Sequence, residues 1–302
     1  MLYQSITFGN GTAGVGKTSI CANVAGLASQ SGWRTLVIDL DPQGNLGSDL
    51  GYKQRGLSDE GEGLFDAVIS GTPLRPLRNV RMNLDAIPAG SATKNLLAVL
   101  TDRRALDPTR VLDILRVVEP LEELYDLVLI DSPTAGGVAV EAALAAAHWL
   151  VIPVKFDDVP RDALELMARQ VEAIRTTANP DLQLLGVALF DFTTQRSVVR
   201  SEVRRRLIDE LESGTPVFKS IVRRSDRAAY DMRREGILAH EYSQRSESGK
   251  HRVPIANRIK RTQRGATKDR DSAAASGLAA DYKKLATEIL LSLGEVAHSV
   301  RS

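Results

Sequence analysis

The residues best suited to chemistry in this chain are one lysine in a glycine-rich loop, the hydroxyl beside it, and three aspartates near the ends of apolar runs. Gly11-Thr12-Ala13-Gly14-Val15-Gly16-Lys17-Thr18 satisfies the pattern G-x-x-x-x-G-K-[ST]. Glycines let backbone N–H groups curl round phosphate oxygens without Cβ clashes. A helix opening at Lys17 would offer its N-terminal donors and dipole to the same anions. The expected nucleotide cradle is Gly11, Thr12, Ala13, Gly14, Val15, Gly16, Lys17, Thr18 and Ser19. Lys17 is expected to reach the β- and γ-phosphates, and the Thr18 hydroxyl to ligate Mg²⁺. The ligands this pattern implies are ATP and Mg²⁺.

The carboxylates fall in two places. Ile38-Asp39-Leu40-Asp41-Pro42-Gln43-Gly44-Asn45 closes an apolar run with two aspartates two residues apart. Strand periodicity would point both to one side if the strand ran that far. One would then support the Mg²⁺ shell while the other orients an attacking water. Leu127-Val128-Leu129-Ile130-Asp131-Ser132-Pro133 is a second apolar run. Its Asp131 is Walker-B-like, placed to hold Mg²⁺ through water. In α/β sheets, ligands bind beyond the carboxyl ends of the strands, where these aspartates would lie.

The elements that must position these groups can be read in outline. Ser5–Phe8, Thr35–Leu40, Leu84–Ile87, Leu127–Ile130, Leu150–Val154, Leu184–Phe190 and Pro216–Val222 read as strands. Lys17–Gln30, Thr109–Tyr125, Val138–Ala147, Arg161–Thr176 and Ser197–Leu211 read as helices, the first with Ile20, Val24, Leu27 and Ala28 at helical spacing. Strands alternating with helices predict an α/β fold, a mostly parallel twisted sheet flanked by helices on both faces. No internal repeat is visible, so residues 1–302 are expected to form a single P-loop ATPase domain. Residues 244–272 carry nine Lys or Arg against three acidic residues, with few hydrophobics. They read as a basic loop or insertion. A C-terminal helix over 279–293 follows, with Tyr282, Leu285, Ile289 and Leu293 on one face, the pattern of a helix docked on the core.

Composition narrows the classes. The chain has 302 residues, 43% hydrophobic and 25% charged, and a net charge of +1. That suits a globular core and gives no global field toward nucleic acid, so any such attraction must be local. The single cysteine, Cys21, excludes a disulfide framework and a multi-cysteine metal or iron–sulfur site within one chain. His148, His240, His251 and His298 are too scattered to pair as metal ligands. The start lacks a basic segment leading a long apolar stretch, and no run reaches transmembrane length. A cytoplasmic protein is expected.

The loop and both aspartate runs, in this order, resemble the ParA family of partition ATPases. The likeness is strongest over residues 1–51, above all at Gly14–Ser19 and Asp39–Asn45, and resumes at Asp126–Pro133 and Leu150–Val154. It is weaker at Leu185–Val203, Ser220–Gly236 and Ala279–Leu290, and lapses around 52–83 and in the basic insertion. The resemblance implies a deviant-Walker ATPase that sandwiches two ATP molecules in a homodimer. It also implies non-specific DNA binding by the ATP-bound dimer, nucleoid association, and a ParB-like or cargo adaptor protein that stimulates hydrolysis. It assigns Asp41 to positioning the water and Asp39 to the neighbouring acidic position. The candidate metal set is then Thr18, Asp39 and Asp131, with Lys17 and Asp41 catalytic. One departure stands out: the family loop reads K-G-G-x-G-K-T, and its first lysine reaches the partner's ATP, whereas here that position is Thr12, followed by Ala13. The carboxysome-positioning relatives of ParA are similar in lacking that lysine. Lys155, just past the Leu150–Val154 strand, is the candidate replacement, its other reading being an ordinary solvated lysine.

Arginines supply the local positive charge. Arg196, Arg200 and Arg204 are spaced i, i+4, i+8 and would share a helix face, joined by Arg205 and Arg206. Arg223, Arg224 and Arg227 cluster after the last strand with Lys219. Such clusters give salt-sensitive, sequence-independent phosphate contacts. The expected DNA-binding set is Arg196, Arg200, Arg204, Arg223, Arg224 and Arg227. Other classes stay open: a positioner of a protein cargo, a MinD-like membrane regulator, or a weakly hydrolysing scaffold. A membrane role is disfavoured because the C-terminal helix lacks a strongly basic polar face. A nitrogenase-iron-protein-like redox donor needs bridging cysteines, and Cys21 lies within the P-loop helix.

Overall fold

The structure is a computed structural model that describes residues 2–134, 136–155, 161–192, 205, 216–248 and 264–301. Eight strands form one sheet: β1 (Leu2–Phe8), β2 (Thr35–Asp39), β3 (Leu77–Arg81), β4 (Leu84–Ile87), β5 (Leu127–Asp131), β6 (Ala147–Lys155), β7 (Gln183–Phe192) and β8 (Val217–Arg223). Their order across the sheet is β3-β4-β2-β5-β1-β6-β7-β8. Every pairing is parallel except that of β3 with β4. The expected α/β class and parallel sheet are therefore observed.

Apolar runs form these central strands because both faces of the sheet are covered. Period-two geometry then divides each run between two cores. Leu36, Ile38, Val128, Ile130, Leu150 and Ile152 pack on one side. Val37, Leu127, Leu129, Trp149 and Val151 pack on the other. The first core is closed by α3 (Glu62–Ser70), α4 (Ser91–Leu106), α5 (Asp113–Val118), α6 (Val138–Ala146) and α7 (Arg161–Thr177). The second is closed by α1 (Lys17–Gln30), α2 (Asn45–Asp49), α8 (Asp226–Glu235), α9 (Ala239–Glu247) and α10 (Arg264–Arg301). Asp39 lies two residues beyond Val37, and Asp131 two beyond Leu129. Both carboxylates consequently point to the α1 side.

Several boundaries differ from the sequence reading. The Thr109–Tyr125 run is not one helix: α5 is bracketed by 3₁₀ segments at Pro108–Leu112 and Glu119–Leu124. Pro108 and Pro120 each lack the N–H that an uninterrupted helix would need. β2 stops at Asp39, one residue early, because the Asp39 carboxylate accepts the Asp41 N–H at 2.9 Å and turns the chain. The 244–272 stretch is not wholly loop, since Gln244–Glu247 complete α9 and α10 begins at Arg264. The C-terminal helix is correspondingly longer than 279–293. Its Tyr282, Leu285, Ile289 and Leu293 are buried, as their spacing predicts.

α10 also guards the sheet's edge. Glu288 accepts the backbone N–H groups of Lys219 and Ser220 at 2.6 and 2.8 Å, and Asp281 accepts that of Arg223 at 3.2 Å. An edge strand with free donors is a template for unwanted pairing. Here two carboxylates from one helix occupy three of those donors on β8.

Candidate nucleotide-binding site

The carboxyl ends of five adjacent strands, β2, β5, β1, β6 and β7, lie in a row. They deliver Asp39, Asp131, the glycine-rich loop, Lys155 and Asp191 respectively. The loop leaves β1 and enters α1, and its start is pinned by Asn10. The Asn10 amide donates to the Pro153 carbonyl at 2.6 Å, and its side-chain oxygen accepts the Thr12 N–H at 2.7 Å. Gly16 takes a left-handed φ of 91°, and a Cβ there would lie 2.6 Å from the Phe190 ring. Only glycine suits both the conformation and the closeness.

Lys17 is buried and donates to the Asn10 and Thr12 carbonyls, both at 3.1 Å, and to the Thr134 hydroxyl at 3.2 Å. Burial lowers its pKa, while Asp131 and Asp41 pull it back up. Thr12 contributes only backbone to this arrangement. A cavity of about 740 Å³ opens above the loop. Lys17, Thr18, Ser19, Asp41 and Lys155 all line it, together with Ala13, Gly14, Val15 and Gly16. Gly11 lies apart from them, facing a smaller recess of about 170 Å³ with Thr134 and Leu166.

Asp39 and Asp131 face each other across the β2–β5 pair and are fully buried. Both Asp131 oxygens and one Asp39 oxygen lack a hydrogen-bond partner. Burial pushes Asp131 up to about 7, opposed by the nearby Thr18 hydroxyl, which is outside hydrogen-bonding geometry, and by Lys17. Asp39 is pushed well above the usual carboxylate range, first by burial and then by the charge of Asp131. Buried carboxylates with empty lone pairs are costly unless a cation or donor completes them. Asp41 instead stands at the cavity wall, its carboxylate accepting the Gln43 N–H at 3.0 Å. The two aspartates of the Asp39–Asp41 pair thus separate into a buried one and one open to the cavity.

Lys155 ends β6 at the cavity and pairs with Asp191 at 2.9 Å. Arg223 also lines the cavity, and both its side chain and its backbone N–H bond to Asp281. Arg224 is placed near Asp226 and Asp191, at 3.2 and 3.9 Å, and Arg227 near Asp231 at 3.9 Å. Arg227 is the most exposed of the three, at 73%. The expected contacts Arg196, Arg200 and Arg204 lie outside the described residues.

Sequence reasoning missed Asn10, Phe190 and Asp191, and the chain that joins the expected Ser19 to Asp49 and Arg233. In that chain the Ser19 hydroxyl donates to Asp49 at 3.1 Å, and Arg233 donates to Asp49 at 2.7 Å. It ties the P-loop helix to α2 and α8. No local pattern links Ser19 to Asp49 or Arg233. The partners in the Asp49–Arg233 pair are 184 positions apart. Cys21 is buried beside the site, and burial followed by the charges of Asp131 and Asp39 raises its thiol pKa, which makes it inert.

The loop geometry, the phosphate-side lysine and the carboxylates at a sheet edge define a P-loop nucleotide-binding protein. The AAA_31 family model, an AAA domain, matches residues 3–184. The chain is 30% identical over 229 residues to a chromosome partitioning protein ParA from Myxococcus xanthus, covering 74% of this chain and 76% of that protein. It is 32% identical over 226 residues to the chromosome-partitioning ATPase Soj of Thermus thermophilus, covering 75% and 83%. This chain belongs to the ParA/MinD family of P-loop ATPases. Its fold is also that of cobyrinic acid a,c-diamide synthase from Mycobacterium smegmatis with bound ATP analogue and magnesium. The TM-score is 0.64 at 23% identity, over 83% of this chain and 98% of that one.

Proposed function

We propose that this chain is an ATP- and Mg²⁺-dependent dimerising ATPase that binds DNA non-specifically and partitions or positions plasmid, phage or chromosomal DNA. The observation that carries the reading is the convergence of Lys17, Thr18, Asp41 and Lys155 on one cavity, with unsatisfied Asp131 and Asp39 beneath it. The relatives named for chromosome partitioning support the biological role.

The residues fit the nucleotide and its metal. The loop N–H groups and Lys17 would hold the phosphates, and Thr18 would ligate Mg²⁺, with Asp131 and Asp39 supporting it from behind. Bound Mg²⁺ supplies neutralisation of the charge on the β- and γ-phosphate oxygens. Asp41 faces the cavity where an attacking water would be held. Thr12 has no charge to send to a partner's nucleotide, and Lys155, at the cavity wall, would supply it instead. Arg224 and Arg227 would meet DNA phosphates, joined by Arg196, Arg200 and Arg204. Arg223, turned to the cavity and bound to Asp281, would act in DNA binding only on leaving that pair. A ParB-like or cargo adaptor would stimulate turnover, and the protein would act in the cytoplasm on the nucleoid. Among the described residues no helix is long and apolar enough to cross a membrane.

Asp41→Ala tests the assignment. ATP affinity should hold within about threefold, while turnover falls about a hundredfold or more, the scale of losing general-base or water-positioning help. The ATP-bound dimer should then persist in light scattering. Normal turnover would place the water-positioning role on another carboxylate.

A further inference from the structure

Asp191 pairs with Lys155 at the wall of the cavity. It lies one residue before the end of β7, beside Lys155 at the end of β6, where Lys155 is in register with Phe190. The Lys155 ammonium is 2.9 Å from Asp191 Oδ2, while Arg224 is 3.9 Å from Oδ1. Asp191 is the more buried partner, 12% exposed against 34% for Lys155. Its backbone is left-handed, with φ of 63°, a conformation that Asp and Asn adopt more readily than other non-glycine residues. Both side chains line the nucleotide cavity. The carboxylate on this left-handed turn meets the cavity's lysine.

We propose that Asp191 is a positioning residue that withholds Lys155 from nucleotide until phosphate charge competes for it. The proposal rests on the reading of Lys155 as the cation that replaces the missing loop lysine. The choice between holding back and presenting follows from charge. A lysine neutralised by a carboxylate inside its own chain offers little attraction to a triphosphate. It becomes useful only on exchanging that partner for phosphate oxygens. Arg224, near the other oxygen, keeps Asp191 in place after Lys155 departs.

Asp191→Asn is the informative variant, because asparagine tolerates the left-handed backbone and nearly matches the shape. Asp191→Gly also suits this backbone and serves as the second variant. The measurements are steady-state ATPase with Mg²⁺ on the full chain, giving kcat and KM separately, and ATP affinity from a fluorescent analogue. With Lys155 released, both variants should lower KM or raise kcat by about threefold, the scale of one partly exposed ion pair. Adding Lys155→Met to Asp191→Asn should erase the gain, which a merely structural effect of Asp191 would not do. A gain that survives in the double variant overturns the proposal. So does an Asp191→Asn protein that matches wild type, or that loses turnover as Lys155→Met does. If Lys155→Met alone leaves turnover unchanged, the Lys155 reading itself fails. That outcome differs from a latch failure, in which Lys155→Met is impaired and Asp191→Asn shows no gain.

Discussion

Asp131 and Asp39 carry the sharpest tension in the molecule. Two carboxylates at the ends of adjacent strands are fully buried, with three of their four oxygens unpartnered. The Asp41 N–H compensates one Asp39 oxygen, but like charges close together in a poorly hydrated site repel, so the pair is poorly compensated. The arrangement makes sense as a device for a cation arriving with phosphate. Asp131→Asn should therefore make the nucleotide-free protein more stable at pH 8, by on the order of 1 kcal/mol, as removal of poorly compensated buried charge does. The same change should weaken Mg²⁺-dependent ATP binding. Urea unfolding with and without Mg·ATP reads both effects. A less stable nucleotide-free variant would mean that the carboxylate has a structural partner after all.

Elements meet in this fold through a few long-range contacts, and two of them make measurable claims. Gly51, just after α2, and Gly236, which caps α8, both have positive φ and stand back to back. A Cβ on Gly236 would come within 2.3 Å of the Gly51 Cα. Backbone does not yield as a side chain tip does. Gly236→Ala should cost about 2 kcal/mol or more from strain and overpacking together, seen as a lower denaturation midpoint. A neutral result would show that the α2–α8 contact can open without loss. The second contact is Arg81 of β3, which bonds Glu241 of α9 at 2.9 and 2.8 Å, while Glu241 also accepts the Leu238 N–H at 2.7 Å. Burial opposes the Glu241 charge, but Arg81 wins and holds its pKa below the usual glutamate range. A depressed acid stabilises the fold above its unfolded pKa, and that stability is lost as pH falls through the folded value. Glu241→Gln should thus cost about 1.5–3 kcal/mol at pH 7. The gap from wild type should shrink below pH 4.5 and close once Glu241 is protonated in the folded protein. A gap that stays constant to pH 3 would remove the ion pair as its cause.

The whole molecule was legible where function and core share one stretch of chain. The strands and the P-loop helix carry strong local signals, since parallel strands covered on both faces read as apolar runs. The phosphate loop, Asp41 and Asp131 are readable because backbone geometry forces their types and spacing. β3 was not readable: its Leu77-Arg78-Asn79-Val80-Arg81 lacks alternation, and its fold comes from Arg78 and the Asn79 N–H bonding Asp85. α8 and α9 were hidden for a similar reason, being rich in charge and held by partners distant in sequence. Asp191 and Phe190 reach the site only because β7 lies beside β6, and no local pattern reports strand order. The ionic pairing of Arg223 was equally out of reach, since Asp281 lies 58 positions away.

In the proposed role, a nucleotide-gated grip on DNA would link the site to partitioning. The direct test is binding to random-sequence DNA with ATP and Mg²⁺, with ADP, and without nucleotide, at two salt concentrations. Contacts to several phosphates make affinity fall steeply with salt, by about tenfold or more over a fourfold rise in concentration. Tight, salt-sensitive binding confined to the ATP condition is the expected result. Binding that ignores the nucleotide, or no binding in any condition, would contradict the account.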